Sequence, residues 1–170
     1  MANIHKINPC LWFNKEAEDA AKFYVSIFKD SKIGAVSHYG KAGQDVHQMP
    51  EGSVMTVEFE LLGQRFLALN GGPVFKINEA ISFVINCKNQ DEIDYYWEKL
   101  NQGGDPKSQQ CGWLKDKFGL SWQVVPDQMS KWSSAGGEKS ERVMSVLMNM
   151  KKLDVKKLEK AYKGEGELVS

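Results

Sequence analysis

Residues 111–126 read CGWLKDKFGLSWQVVP, and this stretch predicts two strands that fold back on each other. The strands are expected over 108–116 and 120–126, with the turn at Phe118-Gly119. Within SWQVVP (121–126), alternation places Gln123 on the sheet face opposite Trp122 and Val124. Because an unpartnered buried glutamine costs about 1–3 kcal/mol, we expect Gln123 to have a hydrogen-bond partner on that face.

The strand–helix–strand pattern occurs twice along the chain. INPCLWF (7–13) ends at Asn14, a predicted helix cap, and an amphipathic helix is expected over 15–28. AISFVINC (80–87) precedes Asn89 and Glu92, a capping-box pattern, and a helix over 90–102. Only strands follow each helix. In the first unit they are expected at 31–40, 53–63 and 64–70. In the second unit they are expected at 108–116 and 120–126, after a weakly signalled strand near 105–110. The pattern predicts two βαβββ modules, 1–75 and 76–128.

Residues 129–170 lie outside this repeat and predict a loop and two further helices, at 141–150 and 154–163, with Asp154 as a cap. Their apolar positions recur at helical spacing: Val143, Val146, Leu147, Met150, Val155, Leu158 and Tyr162. Such a stripe requires a covering surface. The sequence leaves two candidates open, a second copy of the chain and the helices' own subunit.

Composition excludes several classes of protein. The 170 residues carry 22 basic and 22 acidic side chains, so there is no basic surplus for nucleic acid. Cys10, Cys87 and Cys111 are far apart and form no CxxC pair, which favours reduced thiols in the cytoplasm over disulfides or a structural zinc site. No apolar run suits a signal peptide or a membrane span.

Four stretches resemble the PhnB-like family of the vicinal oxygen chelate superfamily, which includes glyoxalase I, extradiol dioxygenases and bleomycin-resistance proteins. They are LWFNKEAEDAAKFY (11–24), ALNGGPVFKINEAISF (68–83), CGWLKDKFGLSWQVVP (111–126) and VLMNMKKLD (146–154). The resemblance implies an α+β fold in which curled mixed sheets surround a cavity. Residues 1–128 would form one glyoxalase-like domain, followed by a C-terminal helical extension. It also implies a homodimer.

The same resemblance places metal ligands on the first and last strands of each module. Ser82 would stand where metal enzymes of the superfamily have histidine, and Gln123 where they have glutamate. In the first module the positions fall at Asn8 or Pro9 and at 68–70. Because none of these residues offers a carboxylate or an imidazole, we expect no metal there, with a divalent metal as the less favoured alternative. Gln123 then bonds a ligand, Ser82, or simply backbone or water.

Further residues are candidates for the ligand cavity. Trp12 and Trp113 are strand aromatics that could stack on a flat ligand. Asn70 ends a strand beside Gly71-Gly72 and is expected to face the ligand. His38 lies on a predicted strand and could reach the cavity with its imidazole, the side chain that most often serves as an acid or base near neutral pH. Cys111 has no histidine near it in sequence, so a packed thiol at a strand bend is a simpler interpretation than a nucleophile.

Four other titratable residues have simple structural interpretations. His5 and His47 are typical of surface histidines. Glu58 and Glu60 share one face of the strand at 53–63 by alternation. That pair could serve acid–base chemistry, but an exposed strand face explains it more simply.

Three functions remain open from the sequence. The first is a cavity protein that binds a small molecule without an essential metal. The second is a metal-dependent lyase, isomerase or dioxygenase with rearranged ligands, and the third is a dimeric protein with a vestigial cavity. The family's domain often carries the name 3-demethylubiquinone-9 3-methyltransferase. The sequence has no glycine-rich strand–helix loop for a nucleotide-like cofactor, so methyl transfer is not predicted.

Overall fold

The computed structural model describes residues 6–165, and the chain divides into two compact units, Met1–Ile77 and Asn78–Ser170. The first unit contains β1 (Cys10–Phe13), α1 (Ala17–Ile27), β2 (Lys32–His38), the short α2 (Gln44–His47), β3 (Val54–Leu61) and β4 (Gln64–Asn70). The second contains β5 (Ser82–Cys87), α3 (Gln90–Leu100), a 3₁₀ turn (Pro106–Ser108), β6 (Trp113–Lys115), β7 (Ser121–Pro126), α4 (Met129–Ser133), α5 (Gly137–Leu147) and α6 (Val155–Lys163).

The first sheet has the order β1-β4-β3-β2, with β1 parallel to β4 and the other pairs antiparallel. Helix α1 buries Ala17, Ala20, Ala21 and Tyr24 against one face of this sheet. Alternate strand residues fill the same layer, including Val57, Phe59, Phe66 and Ala68. The predicted βαβββ order of the first module is confirmed.

The start of α1 corrects one sequence prediction. Asn14 does not cap the helix, which begins at Ala17 after Glu16 without a local side-chain cap. The Ala17 N–H instead donates to Asn70 Oδ1 at 2.8 Å. The cap is therefore supplied by a residue 53 positions later, on β4, and local sequence cannot reveal such a partner.

The second sheet has the order β5-β7-β6, with β5 parallel to β7 and β6 antiparallel to β7. The weak strand prediction near 105–110 is wrong, so this module has three strands where four were expected. Asp105 accepts a hydrogen bond from the Lys107 N–H at 2.9 Å and opens the 3₁₀ turn at Pro106. Cys111 (φ 52°) and Gly112 (φ 84°) then turn the chain before β6 begins.

Two helix caps are as predicted. Asn89 Oδ1 accepts the Glu92 N–H at 3.0 Å, and Asp154 Oδ1 accepts the Lys157 N–H at 3.0 Å. The Glu92 carboxylate accepts the N–H of Lys88 at 2.9 Å, one residue earlier than a capping box requires. Together the two mixed sheets and their covering helices confirm the predicted α+β fold.

The C-terminal helices cover their own apolar stripe. Helix α6 matches its predicted range to within one residue, whereas α5 begins four residues before and ends three residues before the predicted ends. Helix α4 lies where the sequence predicted a loop. Trp132, Val143, Leu153 and Leu158 form a buried cluster, and the other five residues of the stripe pack against it. The sequence left open whether a second copy of the chain or the helices' own subunit covers the stripe. In the structure, the helices' own unit covers it. No helix within residues 6–165 is long and apolar enough to cross a membrane.

The contact between Trp12 and Gly71 predicts a size limit at position 71. A Cβ added to Gly71 would lie 2.2 Å from the Trp12 indole. We expect Gly71→Ala to lower the free energy of unfolding by about 1–3 kcal/mol through overpacking. Gly40 also lies outside the left-handed region, and a Cβ there would meet no heavy atom within 4 Å. Gly40→Ala is therefore the control, with an expected change within about 0.5 kcal/mol in urea unfolding. Equal losses would contradict the steric argument.

Candidate functional site

One face of the second sheet is left uncovered by α3. The helix side carries Ile85, Trp122 and Val124, all buried. Cross-strand pairing aligns Gln123 with Val84 on β5 and with Trp113 on β6, so these three side chains project to the other side. Ser82, two residues before Val84, joins them. We call this surface, formed by Ser82, Val84, Trp113 and Gln123, the Gln123 face.

Gln123 finds its partner on this face. Its Nε2 donates to Ser82 Oγ at 2.9 Å, between adjacent strands. Gln123 and Ser82 are half-buried, as is Trp113, whereas Val84 is 50% exposed. Val84 is thus a half-exposed apolar side chain beside a polar pair, and ligand sites combine apolar walls with a few polar groups.

Asp116 fixes the β6–β7 turn that positions Gln123. Its buried carboxylate accepts the N–H groups of Phe118 and Leu120 on Oδ1, at 2.8 and 3.1 Å. Oδ2 accepts the Trp122 Nε1–H at 2.8 Å. Trp122 is thereby held on the helix side, and alternation turns Gln123 to the opposite side. Sequence reasoning missed this role, although an aspartate three residues before a turn glycine is a typical signal for side-chain-to-backbone bonding.

Cys111 lies at the bend that leads into β6. This position agrees with its interpretation from the sequence as a thiol at a strand bend. Its φ of 52° is in the left-handed region, and its N–H donates to the Met150 carbonyl at 2.8 Å. Its Sγ lies 3.8 Å from Met148 Sδ. Cys111 thus contacts the C-terminal segment, whereas Trp113, two residues later, belongs to the Gln123 face.

The first unit holds Trp12 and Asn70 on opposite faces of its sheet. Trp12 Nε1 donates to the Gly72 carbonyl at 2.8 Å, and its ring meets Phe75 edge-on at a centroid distance of 4.9 Å. Asn70 is placed differently from the expected ligand-facing side chain. It is 4% exposed, and besides accepting the Ala17 N–H it donates from Nδ2 to the Val54 carbonyl at 3.1 Å. The Asn70 amide therefore links the start of α1 to strand β3 through two hydrogen bonds.

His38 is exposed and lies on β2, at the edge of the first sheet. The pKa of the Glu18 carboxyl in α1 is lowered mainly by its hydrogen bond with Lys22, and the charge of His38 contributes least. His47 contacts Tyr39 at a ring centroid distance of 4.6 Å, and His5 lies outside the described residues.

The first unit also contains a cleft of about 320 Å³ on the sheet face away from α1. Its charged lining residues are Lys32, Glu58, Glu60 and Arg65. Lys32 Nζ lies 3.7 Å from the Glu60 carboxylate, so part of this charge is already paired within the protein. This cleft and the Gln123 face lie in different units. Of the residues at the expected metal positions, Asn8 lines the cleft, whereas Ser82, Gln123 and Asn70 do not.

The residues at the expected metal positions do not fit a divalent metal. Ser82 and Gln123 are neutral and bonded to each other, and Asn70 uses its amide on backbone groups of the first unit. Ala68 is fully buried beneath α1. Among residues 6–165, no three histidine, cysteine, aspartate or glutamate side chains are grouped so that they could hold a metal ion.

Comparison with known families gives a match over most of the chain. Residues 5–125 match the model of the family described as 3-demethylubiquinone-9 3-methyltransferase. The C-terminal helices, including the 146–154 stretch counted in the resemblance, lie beyond the matched range. No curated protein matches the chain significantly.

Solved structures extend the comparison. The PhnB protein from Bacillus cereus is 34% identical, with a TM-score of 0.59 over 71% of this chain and 99% of its own. Protein PA1353 from Pseudomonas aeruginosa is 20% identical, with a TM-score of 0.55 over 72% and 98%. The fosfomycin resistance protein FosX from Mesorhizobium loti is 12% identical, with a TM-score of 0.50 over 75% and 95%. The last two similarities support the fold alone.

The bonding of Asp116 predicts a specific cost for Asp116→Asn. If the asparagine keeps its oxygen on the two backbone N–H groups, its NH₂ meets the Trp122 indole N–H, donor against donor. We expect a loss of about 1–3 kcal/mol in the free energy of unfolding, measured by urea and circular dichroism.

Trp122→Phe supplies the matched background for this test. It removes the indole N–H, so Asp116→Asn should cost clearly less there than in the native chain. The same cost in both backgrounds would show that the indole bond does not restrain Asp116.

Proposed function

The chain belongs to the 3-demethylubiquinone-9 3-methyltransferase family, the PhnB-like branch of the vicinal oxygen chelate superfamily, and we propose that it binds a small organic molecule on the Gln123 face without a catalytic metal. The observation that carries the proposal is the bonded pair of Gln123 and Ser82, beside a valine that is 50% exposed.

The hydrogen-bonding chemistry of this pair defines what a ligand must offer. Gln123 Nε2 donates to Ser82 Oγ, which leaves the Ser82 hydroxyl proton and the Gln123 Oε1 lone pairs to bond a ligand. A molecule with an adjacent carbonyl and hydroxyl group would match that acceptor and donor. Trp113 and Val84 offer a flat apolar surface for the rest of the molecule.

This proposal does not include the methyl transfer named in the family description. The sequence has no glycine-rich loop between a strand and a helix that would suit a nucleotide-like cofactor. Two other functions are alternatives to this proposal. One is a metal-dependent lyase, isomerase or dioxygenase, and the other is a protein whose binding face is vestigial.

Ligand binding should raise the melting temperature of the native protein. In a screen of small aromatic compounds that carry neighbouring carbonyl and hydroxyl groups, a compound at 100 times its Kd would stabilise the fold by about 2.7 kcal/mol. Its Kd, measured by quenching of tryptophan fluorescence, should rise about fivefold in Gln123→Ala, since one hydrogen bond contributes about 1 kcal/mol.

Gln102→Ala is the matched control, because Gln102 is an exposed glutamine of the same unit outside the Gln123 face. Its Kd should equal that of the native protein. An unchanged Kd in Gln123→Ala would move the binding site elsewhere, for example to the cleft of the first unit. A screen without any thermal shift would favour a vestigial face.

The protein should also hold no tightly bound divalent metal. Ser82 and Gln123 offer a hydroxyl and an amide, which are weak ligands for zinc, nickel or iron. Elemental analysis of untagged, dialysed protein should give much less than one zinc, nickel or iron ion per chain. Stoichiometric metal that is lost in Gln123→Ala would contradict the proposal and support the metal-dependent alternative.

We further propose that the protein is a cytoplasmic homodimer. The cysteines are free thiols, as expected for a reducing compartment, and the family resemblance supports the dimer. The tail helices bury their apolar stripe on themselves, so the stripe gives no support to the dimer. Light scattering should give twice the 19.2 kDa chain mass, and a monomeric mass at micromolar concentration would contradict the dimer.

A further inference from the structure

Two sulfur atoms from separate parts of the second unit meet at its surface. Cys111 Sγ and Met148 Sδ are 3.8 Å apart, and Met148 is 53% exposed. Neither belongs to the Gln123 face. We propose that Cys111 and Met148 form a binding site for a soft monovalent metal ion, Cu(I).

The backbone holds both sulfur-bearing residues in place without a metal. The N–H groups of Cys111 and Gly112 donate to the carbonyls of Met150 and Lys151, each at 2.8 Å. Met148 continues the last turn of α5, since its N–H donates to the Met144 carbonyl at 3.0 Å. The segment that carries Met148 is thus tied directly to the bend that carries Cys111, so little chain ordering is needed when an ion binds.

The sulfur–sulfur distance suits one shared ion. A metal–sulfur bond of about 2.3 Å would place an ion between two sulfurs 3.8 Å apart at an S–metal–S angle of about 110°. That angle leaves a third position open. Met144 lies one helical turn before Met148 and is 48% exposed, so its thioether lies on the same side of the helix and is a candidate for this position.

Ligand chemistry selects the ion. Thiolate and thioether sulfurs favour Cu(I), whereas calcium and magnesium require oxygen ligands. On binding, the Cys111 thiol loses its proton to solvent and the thiolate bonds the ion, while Met148 donates a lone pair without a change in charge. Copper enters and stays as Cu(I), so no electron is transferred.

The other two cysteines provide internal comparisons. Burial, with smaller contributions from the charges of Glu92 and Asp127, raises the pKa of the Cys87 thiol to about 12, which disfavours its thiolate. Cys10 lies on β1 in the first unit, where burial also raises its thiol pKa. Cys10→Ser therefore removes a thiol that is remote in sequence from Met148 and serves as the control.

An anaerobic Cu(I) titration against a chromophoric Cu(I) chelator tests the site on the full-length protein. We expect one Cu(I) per chain in the native protein and in Cys10→Ser, and at least tenfold weaker binding in both Cys111→Ser and Met148→Leu. Met148→Leu conserves volume and removes only the thioether, and near-UV circular dichroism confirms that each variant is folded. Native affinity in either Cys111→Ser or Met148→Leu, or no stoichiometric binding to the native protein, would overturn the proposal.

Discussion

The buried carboxylate of Asp116 is the constraint on which the second unit depends. A buried charge is unfavourable unless hydrogen bonds satisfy it, and this one accepts two backbone N–H groups and one indole N–H. The two backbone bonds close the turn between β6 and β7, and the indole bond fixes which face Trp122 occupies. Because side chains alternate along a strand, the position of Trp122 also determines that of Gln123.

The polarity of the Gln123 face follows from that register. A shift of one residue would turn Trp122 and Val124 away from α3 and bring Gln123 beneath it. Parallel pairing with β5 then places Val84 beside Gln123 and Ser82 within 2.9 Å of its amide. The turn between β6 and β7 thus sets both the burial of Trp122 and the position of the Gln123–Ser82 pair. A change that disrupts this turn would therefore alter the fold and the proposed site together.

The sequence predicted the features that depend on local patterns. Helical spacing gave α1 and α3 to within two residues of their ends, and the caps at Asn89 and Asp154 are local hydrogen bonds. It failed where a partner is distant in sequence. Asn70 resembled a ligand residue because its partners, Ala17 and Val54, lie 53 and 16 positions away. Whether His38 and Trp113 face a ligand likewise depends on contacts with residues that are distant in sequence.

The C-terminal extension adds contacts that lie outside the range matched by the family model. The family match ends at residue 125, and the helices beyond it bury their apolar residues around Trp132 and Leu158. They do not simply pack on themselves, because their connecting segment hydrogen-bonds the backbone of Cys111 and Gly112 within the matched region. The bend before β6 therefore has partners that a relative ending near residue 125 would lack. Any binding that requires Cys111 together with Met148 belongs to this extended chain and need not occur in its shorter relatives.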